Sequence, residues 1–161
     1  MQKESELIVS KARARIDINI ALLSISFLLF TLIVTIKPEI LSDNILLAAE
    51  LTLTIPLLIT SALARTKNIA YVKKDIWNNF GFITYILAYS MLINVIGMFL
   101  SSIVNIQICV IFFGMNILMA LIYSVVELIE NKVKLSSRFY KDALFILILV
   151  FGGVLPSLGI Y

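Results

Sequence analysis

The chain has 161 residues, 61% of them hydrophobic and 14% charged, with a mean hydropathy of +1.05. Soluble domains are nearer about half apolar and a quarter charged; here the excess lies in long unbroken runs, which excludes a water-soluble fold and indicates spanning helices. The net charge of +3 and the pI near 9.0 come from basic residues between those runs, so they read as membrane-flanking anchors and not as a nucleic-acid surface.

Residues 1–15 are polar and helix-permissive and form a lead-in to the first span, 16–36. That run is too long for a cleavable signal peptide and stops at Lys37-Pro38, because the residue before a proline is pushed out of the α region. Ser42 and Asp43 are N-cap candidates for the second span, 44–64. Over 67–79, Ile69, Val72, Ile76 and Phe80 fall on one helical face, which predicts a short interfacial helix. Trp77, Lys73 and Lys74 are its expected membrane-surface anchors. The third span is 80–100 and the fourth 106–126, joined by a five-residue link into a helical hairpin. The last apolar run is 143–161, and Gly152, Gly153 and Pro156 are expected to kink it. The alternative reading of the glycine pair is a helix break that offers backbone to an ion. The fold expected is an all-α polytopic transmembrane bundle of about five spanning helices plus the interfacial helix, one domain over 1–161.

Twelve of the thirteen basic residues would lie on one side of the membrane and only Lys37 on the other. Under the positive-inside rule this places the N-terminus inside and the C-terminus outside a cytoplasmic membrane.

Each of the first four spans carries a small or polar stripe that lipid-facing surface would not need. On the first it is Asp17, Ala21, Ser24, Leu28, Thr31 and Thr35. On the second, Glu50, Thr54 and Ser61 share a face. Ser90, Asn94, Gly97 and Ser101 share one on the third, with Tyr85 and Tyr89 on its opposite side. On the fourth the face holds Cys109, Asn116, Ala120, Tyr123 and Glu127. Turning all four stripes inward is the simplest arrangement. Glu50 is the most demanding residue, because a carboxylate in a span must be buried with partners, neutralised or used. Asn94 lies at a similar depth, and Pro56 is expected to free a carbonyl near Thr52; together these could hold a proton or a cation. Asn94 and Asn116 are expected either to satisfy each other or to line a wet path. Asp17 and Glu127 are expected in boundary salt bridges with Arg13 and Lys132.

Glu50, Asn94, Asn116 and Thr54 are therefore the candidate ion or proton path, and Tyr85 and Tyr89 the candidate interface with another protomer or a partner. There is no histidine and one cysteine, Cys109, so transition-metal binding and Ser/His or Cys/His catalysis lack their usual residues. No cofactor motif, metal site or enzymatic activity is expected. The functional expectation is a small membrane protein, a homo-oligomer or bound to a partner membrane protein, that passes or senses small ions. The alternative is a non-conducting accessory or scaffold subunit of a larger membrane complex.

Overall fold

The computed structural model describes residues 2–70, 74–131 and 135–160, with side chains over 9–70, 76–129 and 139–160. Five long helices dominate: α1 (Gln2–Ile36), α3 (Ile45–Ala70), α4 (Lys74–Ile103), α5 (Ile106–Asn131) and α6 (Leu135–Leu149). A single turn, α2 (Ile40–Asp43), lies between α1 and α3. After α6 the chain passes through a π-helical turn, Val150–Val154, into the short α7 (Leu155–Ser157). Five segments are long and apolar enough to cross a membrane: Val9–Ile36, Ile45–Ala70, Ile76–Ile103, Ile106–Ile129 and Phe139–Ser157. The chain is thus an all-α bundle compatible with a multi-pass membrane protein.

The segment 67–79 is shared between two long helices: 67–70 close α3 and 74–79 open α4, with 71–73 outside the described residues. Lys73 falls in that gap, and the side chain of Lys74 is also outside the described residues. Trp77 packs edge-on to Phe80 with ring centroids 6.5 Å apart. The ammonium of Lys67 stands 5.1 Å from its ring centre, so the end of α3 is tied to the start of α4. Asn44, and not Ser42 or Asp43, caps α3: its Oδ1 accepts from the Leu47 backbone N–H at 2.9 Å. Ser42 instead donates to Glu39 O within the α2 turn.

α4 is the central helix; it packs against every other long helix and against the π-helical turn. Its sequence explains this, because Ala88, Ser90 and Gly97 are buried small residues that let neighbours approach. At Gly97 a Cβ would run into the ring of Phe113 on α5. At Gly81 a Cβ would stand 3.0 Å from the Cβ of Ala64, marking the closest approach of α3 and α4. Leu29, Ile33, Ile40, Leu47, Leu51, Leu92, Val95, Met98 and Phe99 form one apolar cluster, near the junctions α1–α2–α3 and α4–α5. Among the described side chains Lys11, Arg13, Arg15, Arg65, Lys67 and Lys141 lie toward the opposite end of the helices. There the second cluster, Ile93, Cys109, Phe113 and Leu149, gives way to a cavity.

The first helix faces the other way from its expected seam. Asp17, Ala21, Ser24, Leu28, Thr31 and Thr35 are all exposed, while Ala12, Asn19, Ser26, Leu29 and Ile33 are buried. The exposed hydroxyls need no interhelical partner, since Ser24, Thr31 and Thr35 donate to the carbonyls of Ile20, Phe27 and Thr31 one turn back. Asp17 makes no ion pair with Arg13. Lys132, expected opposite Glu127, lies outside the described residues.

Candidate functional site

Glu50 and Asn94 meet. The Asn94 amide donates to Glu50 Oε1 at 3.0 Å and to the carbonyl of Ile148 at 3.1 Å, so one side chain joins α3, α4 and α6. Glu50 is 5% exposed and Asn94 fully enclosed. Thr54, also enclosed, donates its hydroxyl to the Glu50 carbonyl at 2.7 Å, which fixes the backbone of the acid one turn away.

The fifth spanning segment closes this pair. A Cβ on Gly152 would collide with Asn94 Nδ2 and Glu50 Oε1, and one on Gly153 with Asn94 Oδ1 and the Phe113 ring. The glycine pair therefore lays bare backbone directly on the polar pair, and it lies within a π-helical turn. Among the described residues two acceptors remain without a hydrogen bond in this enclosure, Glu50 Oε2 and Asn94 Oδ1. Leaving a buried acceptor unpaired costs about 1–3 kcal/mol. A proton on Glu50 turns one acceptor into a donor, and a small cation would give both oxygens a partner.

Thr52 and Pro56 are exposed, whereas Glu50 and Thr54 are buried. Asn116 does not pair with Asn94. Its amide donates to Phe112 O at 2.8 Å on its own helix, and the residue lines the cavity.

That cavity has a volume of about 610 Å³ and lies among α1, α3, α4, α5 and α6 at their basic end. Tyr85 and Tyr89 line it. Their rings stack on each other at 5.9 Å, and Tyr89 stacks on Phe145 of α6 at 6.0 Å. The tyrosines thus spend their faces within the chain, where the sequence pattern points to an outward contact surface. The Tyr89–Phe145 pair stands about one helical turn from Asn94 and Ile148. Sequence reasoning missed two wall residues, Asn19 and Arg65, which are 2% and 3% exposed. Asn19 donates to Ser61 Oγ at 3.1 Å and Ser61 to Gly81 O at 2.7 Å, linking three helices. Asn19 sits at i+2 from the seam that was legible, so only the opposite choice of face on α1 would have found it.

Among the described residues no group of three or more His, Cys, Asp or Glu side chains could hold a metal ion. Comparison with protein-family models, curated proteins and solved structures finds no match.

Proposed function

We propose that this chain is an integral membrane protein that takes up and passes a proton or a small cation at Glu50. The observation that carries the reading is the pair of buried, unpartnered oxygens, Glu50 Oε2 and Asn94 Oδ1, held against a glycine-lined π-helical turn. The position of the pair adds support. On one side an apolar cluster of α1 to α4 seals the bundle, and on the other the cavity containing Asn116 approaches to within about a turn of Asn94. The cavity would be the entry, the stacked Tyr89 and Phe145 rings the barrier, and Glu50 with Asn94 and Thr54 the holding site. π-helical turns mark places where a helix can shift register, and this one touches the holding site.

The cavity lies within one chain, so this path needs no central axis between copies. Assembly into a homo-oligomer or with a partner membrane protein is a separate proposal, read directly by particle images in nanodiscs. The deciding measurement is flux. Purified protein in liposomes carrying an internal pH-sensitive or cation-sensitive dye should dissipate an imposed gradient. Glu50→Gln keeps the shape and the Asn94 contact, should fold normally, and should abolish that flux. Undiminished flux in Glu50→Gln removes Glu50 from the mechanism. If wild type dissipates neither proton nor cation gradients, the accessory-subunit reading replaces this one.

A further inference from the structure

The cavity at the basic end presents two guanidinium groups on a single uncharged residue. Arg15 Nη1 donates to Asn78 Oδ1 at 3.1 Å. Arg65 Nη1 donates to the same oxygen and to the Asn78 backbone carbonyl at 3.1 Å. Among the described residues neither arginine pairs with a carboxylate, and the hydrogen bonds of Arg65 run through Nη1. Arg65 is 3% exposed. Burying a cation without a counter-ion is costly, and placing a second cation on the same amide oxygen adds repulsion. A cavity of about 610 Å³ opens beside both groups, within the size range of small-molecule sites.

We propose that this cavity binds a phosphate group, anchored by Arg65 and Arg15, with Tyr85, Tyr89 and Phe145 walling the organic part of the ligand. The planar fork of arginine matches phosphate oxygens two at a time, and two arginines match the charge of a phosphate ester. Asn78 orients both forks and leaves their other N–H groups for the ligand. The acids that line the cavity, Glu127 on α5 and Asp142 on α6, come from helices other than those of the two arginines and have interactions of their own. Lys141, also in the wall, lies 4.3 Å over the Phe82 ring. The phosphate can arrive on a free solute or as a lipid head group, since the site sits at the end of the spans where a bilayer would carry its own phosphates.

Thermal unfolding of the full chain in neutral detergent separates these sources. The probes are inorganic phosphate, glycerol phosphate and a short-chain phosphatidylglycerol, each against chloride at equal ionic strength. At least one phosphate probe should raise Tm with a saturating dependence on concentration. Arg15→Gln, at an exposed position, and Arg65→Lys, which keeps the charge and loses the fork, should each weaken that dependence at least tenfold. A response to inorganic phosphate or glycerol phosphate assigns a free solute, and a response to the lipid alone assigns a head group. A shift that chloride reproduces, no shift with any probe, or full binding in Arg15→Gln overturns the proposal. Binding read in the Glu50→Gln background keeps this test apart from the flux measurement, since Glu50 is not among the residues lining the cavity.

Discussion

Asn94 is the side chain on which three helices agree, and its worth can be measured. Replacing it with alanine removes the donor to Glu50 Oε1 and to Ile148 O, and leaves the acid buried with no donor from α4. Loss of a buried hydrogen bond to an acidic group costs about 1–3 kcal/mol, so Asn94→Ala should lower the unfolding temperature clearly. Glycine tests the enclosure from the other side. Gly152→Ala places a methyl group where the Asn94 amide and Glu50 carboxyl lie, and overpacking of that kind costs about 1–3 kcal/mol. Gly114→Ala is the matched control, because beyond its own helical turn no atom lies within 4 Å of the new Cβ and helical alanine is favoured over glycine by about 1 kcal/mol. Unfolding in detergent should rank Gly114→Ala at or above wild type and Gly152→Ala well below it. Equal melting for the two glycine variants would mean the π-helical turn is not seated on the pair. At this scale the sequence was partly readable. Glu50 announces itself as the lone acid of an apolar run, and Asn94 as an amide at similar depth. Arg65 does not, since a basic residue at the end of a span looks like an interface anchor whether its guanidinium reaches water or turns inward.

For whole elements, periodicity located the helices well and their inward faces less well. α3 and α4 turn the expected stripes inward, because each stripe combines a costly polar group with small neighbours, and only burial against another helix satisfies both. On α1 the same pattern misled. A hydroxyl one turn after a carbonyl satisfies itself, so Ser24, Thr31 and Thr35 can face lipid, whereas Asn19 has an amide too demanding for that solution. The contrast predicts opposite outcomes on one helix. Thr31→Val with Thr35→Val should change stability by no more than about 0.5 kcal/mol, as for substitutions away from packed features. Asn19→Leu breaks the link to Ser61 and should cost about 0.6–1.7 kcal/mol, the range for interhelical polar bonds in membranes. A large loss from the threonine pair would return that seam to an interface. The π-helical turn lay beyond sequence reading for another reason. Gly-Gly followed by a proline signals weakness in a helix, but the extra residue in the turn is set by what packs on it, here Phe113 and Asn94.

The whole molecule has two unlike ends, and they predict an orientation. Among the described side chains Lys11, Arg13, Arg15, Arg65, Lys67 and Lys141 belong to the end that holds the cavity, while Lys37 at the opposite end donates to the Ser102 carbonyl at 3.1 Å. The bias of Lys and Arg across short loops orients most helical membrane proteins, so the cavity end should face the cytoplasm. Accessibility of single cysteines decides it, and the structure guides where they go. Cys109 is fully buried in an apolar cluster, so Cys109→Ala removes the native thiol without adding a hydroxyl there. Asp43 and Asn105 are exposed at the end away from the basic loops, and Thr66 and Tyr140 are exposed at the basic end. Asn68 would be a poor probe, since it is 7% exposed and would stay unlabelled from either side. In intact cells an impermeant maleimide should label Asp43→Cys and Asn105→Cys, and should reach Thr66→Cys and Tyr140→Cys only after permeabilisation. The reverse pattern would invert the molecule and put the cavity outside, where its phosphate would have to come from the medium or the outer leaflet. Labelling of Tyr140→Cys and Thr66→Cys from opposite sides would be graver. The two flank an even number of spans, α4 and α5, so such a result would remove one of these from the membrane and dismantle the site that Asn94 and Phe113 build between them.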